Sequence, residues 1–116
     1  MEIKYKIWLE HNGKVIFGHG REELLMAVEE CHSLNAAAKK LKMSYRAAWA
    51  RLKASEDRAG IKLTENQGAG KGMHLTPEAK EILTQFKALE NETHALIGRF
   101  HSQFSLPDFK SRKTKN

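Results

Sequence analysis

Two stretches of this chain leave little freedom in how it folds. The first is Leu34-Asn-Ala-Ala-Ala-Lys-Lys-Leu41, a break at Lys42-Met43, and then Ser44-Tyr-Arg-Ala-Ala-Trp-Ala-Arg-Leu-Lys53. It reads as two short helices joined by a tight turn, with small residues where the helices approach one another. The second is the basic, glycine-rich stretch Gln67-Gly-Ala-Gly-Lys-Gly72, set between the alternating runs Ile61–Glu65 and Met73–Thr76. Those runs predict a hairpin with a flexible, positively charged tip. A helix pair with a finger beside it can place a helix in a DNA groove and a wing on the adjoining backbone.

Capping residues set the helix limits. Asn35 is a suitable N-cap for the second helix, and Ser44 for the third, which can run to Ala59 before Gly60 ends it. At 100° per residue, Tyr45, Ala48, Trp49 and Leu52 share one side, expected to face the core. Arg46, Ala47, Ala50, Lys53 and Ala54 share the other. Alanines alternating with long cations leave a surface low enough to reach base edges and basic enough to hold phosphates. The plainer explanation is that alanine is the best helix former. The residues expected to contact DNA are Ser44, Tyr45, Arg46, Ala47, Ala50, Arg51 and Lys53 on the helix, with Gln67 and Lys71 in the wing.

Upstream, Ile3–Leu9 and Val15–Phe17 flank Asn12-Gly13, the dipeptide a type I′ turn requires, and predict a first hairpin with Leu9 opposite Ile16 and Trp8 opposite Phe17. From Arg21 the apolar positions Leu24, Leu25, Val28 and Cys31 take helical spacing, and Cys31 is expected to be buried. Downstream, Thr76-Pro77 starts a long helix. Ile82, Phe86, Leu89, Thr93, Leu96 and Phe100 fall on a heptad stripe. A helix of about 25 residues reaches ~37 Å, further than a small domain can cover, so the stripe beyond its first turns is expected to meet a second copy of the chain.

The chain has 116 residues, 20 Lys and Arg against 14 Asp and Glu, and a formal charge of +6. The surplus is localised: residues 39–73 carry nine basic and three acidic side chains, and residues 105–116 four and one. A basic reading unit favours a polyanionic partner, here double-stranded DNA. With one cysteine there is no disulfide framework, and no apolar run is long enough to span a membrane, so a cytoplasmic protein is expected. No enzyme, metal or cofactor is expected. The six histidines form no HExxH pattern, and no Ser or Thr follows Lys71 as a phosphate-binding loop requires.

The run from Leu34 to Leu52, with Gly60-Ile-Lys-Leu63 and the Gly68–Gly72 loop, resembles the N-terminal winged-helix domain of molybdate-responsive ModE-type transcriptional regulators. More distantly, it is similar to the DNA-binding domain of LysR-type regulators. The resemblance covers about residues 20–100. It implies a dimeric bacterial or archaeal regulator of a palindromic operator, with Ser44, Tyr45, Arg46, Ala47 and Ala50 at the groove and Lys71 in the wing. In that family molybdate is sensed by domains that follow the long helix, so no molybdate site is expected within these residues. The expected fold is mostly α with a small β content (α+β): a winged helix-turn-helix over residues 1–104 with an N-terminal β-hairpin, a dimerisation helix over 77–104, and a basic tail over 105–116. A protein-docking or nonspecific architectural winged helix is the alternative.

Overall fold

The computed structural model describes residues 1–68 and 70–107. The basic tail expected over 105–116 lies, from residue 108 on, outside the described residues. Strands β1 (Trp8–His11) and β2 (Lys14–Gly18) are followed by α1 (His19–Cys31), α2 (Leu34–Lys40) and α3 (Tyr45–Ala59). The short pair β3 (Thr64–Asn66) and β4 (Met73–Leu75) precedes the long α4 (Pro77–His101). This is the expected winged helix-turn-helix, with two separate antiparallel two-stranded sheets.

The first hairpin turns where the sequence placed it. Asn12 and Gly13 both have positive φ, as a type I′ turn demands. Its register differs from expectation: Leu9 pairs with Phe17 and Trp8 with Gly18, because Ile16 is an extra residue in a bulge between Leu9 and Glu10. A bulge rotates the side chains beyond it, and here Phe17 is buried while Trp8 stays half exposed. Residues 3–7, expected in the hairpin, instead run beside α4. The Ile3 N–H donates to His101 Nε2 (2.6 Å), and the Tyr5 hydroxyl lies 3.3 Å from His94 Nδ1.

Helices α2 and α3 start on polar caps, whereas α1 follows Gly18 with no side-chain cap. Ser33, not Asn35, caps α2, its hydroxyl accepting from Ala36 N–H, so the helix begins at Leu34 and buries it. Ser44 caps α3 through Ala47 N–H (3.0 Å), and Gly60 ends it in the left-handed conformation. Between α2 and α3, Lys42 takes a positive φ and Met43 N–H donates to Ala38 O (2.9 Å), closing the turn. Leu24, Leu25 and Val28 of α1 pack with Ala37, Ala38, Ala48 and Leu52. The alanines permit the close helix approach that the sequence implied. Cys31 is only half-buried, because it sits in the last turn of α1 at the edge of that core.

Helix α4 begins at Thr76, which caps Ala79 N–H and donates its own hydroxyl to Lys62 O (2.7 Å). Phe86 is buried edge to face against Phe17, with ring centroids 5.0 Å apart. That contact corrects one member of the expected dimer stripe: Phe86 belongs to its own protomer's core. Truncating either aromatic ring leaves a cavity that backbone shifts cannot close, so Phe86→Ala is expected to cost about 3–5 kcal/mol in urea-monitored unfolding.

Candidate nucleic-acid interface

One side of α3 holds the fold and the other is open. Ala48, Leu52, Ser55 and Glu56 are buried, while Tyr45, Arg46, Trp49, Ala50 and Arg51 are exposed. Arg46 and Ala50 therefore face outward, as the sequence required of a reading helix. Trp49, expected in the core, is instead 49% exposed, and Tyr45, expected on the core side and also at the groove, is 52% exposed. The core beside α3 is narrow, because its α2 members Ala37 and Ala38 are small, and the two large rings on that border stay uncovered. The open stripe then reads Arg46, Trp49 and Ala50, with more aromatic surface than the sequence suggested, while Lys53, expected on it, is half-buried with its ammonium 3.8 Å from Glu56 Oε1.

Ala47 and Arg51 stand off that stripe. Ala47 is partly buried. Arg51 lies on the flank facing the start of α1, against Gly20. There it joins Arg21 and Arg58: Arg21 Nε–H donates to Ser55 Oγ (3.2 Å), and Arg58 donates to Val15 O (2.8 Å). Burial first, then the charges of Arg51 and Arg58, lower the Arg21 pKa from its ordinary value. Among the described residues no carboxylate pairs with any of these three, nor with Arg46 or Lys71. Like charges gathered without counter-ions create a positive potential that a phosphate backbone would neutralise. On the reading side the cationic character ends at Asp57, which is exposed two turns beyond Ala50.

The wing is held to the helices by two carboxylates that the sequence did not single out, Glu56 buried and Glu29 half-buried. Glu56 Oε2 accepts from Leu63 N–H (2.8 Å), and Glu29 Oε2 accepts from Leu75 N–H (2.9 Å). Both acceptors engage backbone, a pairing that residue spacing does not encode. The loop closes through Gln67 N–H to Gly72 O (3.3 Å) and Lys71 N–H to Gly68 O (3.2 Å), leaving Gln67 and Lys71 exposed. Its base rests on the end of α1, where Met73 N–H donates to His32 O (2.9 Å) and the His32 and His74 rings stack at 4.4 Å. Gly72 has φ +72°, and a Cβ there would lie 2.5 Å from His32 O.

The dimer stripe divides in two on α4. Ala79 and Phe86 face the protomer's own core, and residues 3–5 run alongside His94, Ile97 and His101. Leu89, Leu96 and Phe100 lie on the adjoining stripe, exposed to about two fifths of their surface. Ile82 packs partly against the core and Thr93 is half-buried between the two stripes.

A capped helix pair, an outward third helix and a wing define a winged helix-turn-helix DNA-binding domain. Residues 22–80 match the bacterial regulatory helix-turn-helix proteins of the LysR family, and the chain belongs to that family. It is 37% identical over 79 residues to the transcriptional regulator ModE of Haemophilus influenzae, a match covering 65% of this chain and 31% of that protein. It is 31% identical over 88 residues to the molybdenum transport protein ModE of Azotobacter vinelandii, covering 73% of this chain and 33% of that one. The chain thus spans about a third of the length of these relatives. The fold also matches the DNA-binding domain of CbnR, solved as a DNA complex, with a TM-score of 0.57 at 23% identity over 72% of this chain and 94% of that one. The BenM DNA-binding domain on benA site 1 DNA gives 0.57 at 22% identity, over 73% and 97%. Among the described residues no helix is long and apolar enough to cross a membrane.

Because the wing base has no room for a methyl group, Gly72→Ala is expected to destabilise the β4 contact with His32 by about 1–3 kcal/mol. Gly68→Ala, with open space around its Cβ, carries only the positive-φ strain. Amide exchange at Met73 distinguishes the two: faster exchange is expected in Gly72→Ala alone.

Proposed function

We propose that this chain is the DNA-reading part of a ModE-like transcriptional regulator, one that acts in the cytoplasm by binding a palindromic operator as a homodimer and catalyses no reaction. The observation that carries the reading is the exposed strip Tyr45, Arg46, Trp49 and Ala50 at the start of α3, beside a wing bearing Lys71. The N-terminal half of α3 enters the major groove. Arg46 supplies the bidentate donors that suit guanine, Ser44 and Lys53 lie at either end of the strip, and Ala50 keeps the surface low. Trp49 and Tyr45 offer apolar faces to thymine methyls or sugars. Gln67 and Lys71 sit on the adjoining backbone. Arg51, with Arg21 and Arg58, contacts phosphate on the flank rather than bases.

Residues 1–104 act as one unit, with α4 as its dimerisation element through Leu89, Thr93, Leu96 and Phe100. Pairing along that stripe sets the two α3 helices one turn of DNA apart, ~34 Å. Support comes from family membership and from the DNA complexes of CbnR and BenM, whose domains share this fold.

Selection of duplexes from a random library tests the reading. One sequence bound at least ~10³-fold better than random DNA, with affinity falling steeply with salt, is the expected result. Equal binding to all duplexes would make the chain architectural. No binding would leave Trp49 and Tyr45 as a protein-docking patch, since exposed aromatics are common at such interfaces. On the selected operator, Arg46→Ala is expected to cost about 1–3 kcal/mol and to relax preference at one base, whereas Lys71→Ala weakens all sequences alike. Leu96→Asp with Phe100→Asp should give a monomer by sedimentation at micromolar concentration, with the helical content of the head unchanged.

A further inference from the structure

One cluster of side chains, at the joint between α1 and α4, takes no part in DNA contact. His19, Glu22 and Glu90 each bring one ligand-capable atom within 4.8 Å of the others. Glu22 is only 2% exposed, yet its Oε2 accepts no hydrogen bond, and neither does Glu90 Oε1. Two carboxylates facing each other from different helices repel, and burial deepens the penalty. Burial first and Glu90 second raise the Glu22 pKa above its ordinary value. The nearby counter-charge is the Lys87 ammonium, 3.5 Å from Glu22 Oε2 and 3.5 Å from Glu90 Oε1, on a side chain 54% exposed.

His19 adds the decisive geometry. Its Nε2 lies 3.0 Å from Glu23 Oε1, and its Nδ1 lies 3.5 Å from Glu22 Oε1. With the ring proton on Nε2, the side beside Glu23, the Nδ1 lone pair is turned toward a carboxylate oxygen. Lone pair against lone pair is repulsive, and a cation between them turns the repulsion into ligation. A carboxylate behind a histidine is also how metal sites fix the tautomer and orientation of an imidazole ligand.

We propose that His19, Glu22 and Glu90 bind a divalent transition-metal ion of the zinc or cobalt type, bridging the start of α1 to the middle of α4. One imidazole with two carboxylates suits a borderline ion better than magnesium or calcium, which prefer oxygen alone. His19 and Glu22, three apart on one helix, share a face, and Glu90 closes the set from the other helix. Water completes the coordination through a groove of about 380 Å³ lined by Tyr5, Lys6, Ile7, His19 and Glu90. Lys87 leaves as the ion enters, which its flexible, half-exposed chain permits. Because α4 also carries Leu89, Leu96 and Phe100, the ion would stiffen the joint between reading head and dimer helix. That last consequence rests on the DNA-binding reading, whereas ion binding itself does not.

The test is titration of the full chain with Zn²⁺ by calorimetry and with Co²⁺ by its visible absorption, alongside thermal melts. One equivalent is expected, with Tm raised by at least about 5 °C at saturation. His19→Gln, at an exposed position that leaves folding intact, should weaken the ion at least about 10-fold. Glu90→Gln should do the same. Lys87→Ala removes the competing cation and should tighten binding, the opposite sign from a purely structural ion pair. No binding at about 1 mM ion, or affinity and Tm rise unchanged by His19→Gln and Glu90→Gln, would overturn the site. Operator affinity measured with and without Zn²⁺ is a separate arm: ion binding with no change in DNA affinity would keep the site and remove its regulatory consequence.

Discussion

The contact between Phe17 and Phe86 joins the first hairpin to the long closing helix inside the core. Phe17 ends the first hairpin and Phe86 lies in the third turn of α4, and their edge-to-face burial sets both against the core of the helical head. Ala79 adds to it in the core, Ile82 and Leu83 pack against that core, and Lys87 pairs with Glu22 of α1. The direction in which α4 departs decides where a second copy could sit. One aromatic pair therefore links the packing of a small core to the direction of α4.

Around that contact, the head devotes one side of each helix to cohesion and leaves the other to solvent. Small residues on α2 and α3 allow close approach, and the resulting core is too narrow to cover Tyr45 and Trp49. Their exposure follows from the same alanines that make the helix pair tight. The wing is positioned by backbone groups held on Glu29 and Glu56, and among the described residues no carboxylate pairs with Lys71 at its tip.

Much of this was legible in the chain. The Asn12-Gly13 turn, the Ser44 and Thr76 caps, the Gly60 stop and the outward face of Arg46 and Ala50 all follow from local rules that hold within a few residues. The hairpin register was not legible, because a bulge at Ile16 inserts one residue and every pairing beyond it shifts. Ser33 capped α2 ahead of Asn35, since either side chain satisfies the same need and packing of Leu34 decided between them. Phe86 sat on the heptad stripe beside Leu89, and periodicity could not say which of the two would turn inward. The His19, Glu22 and Glu90 cluster escaped motif reading because its third member comes from a helix distant in sequence.

What the sequence determined by itself was the set of elements and the outward placing of Arg46 and Ala50 on α3, because capping, turn chemistry and helical periodicity act over single turns. What only the tertiary structure decided was which stripe of α4 is spent on its own protomer, where residues 3–7 lie, and which carboxylates end up buried together. Those outcomes depend on contacts between residues far apart along the chain, where shape and burial compete and no local spacing records the winner.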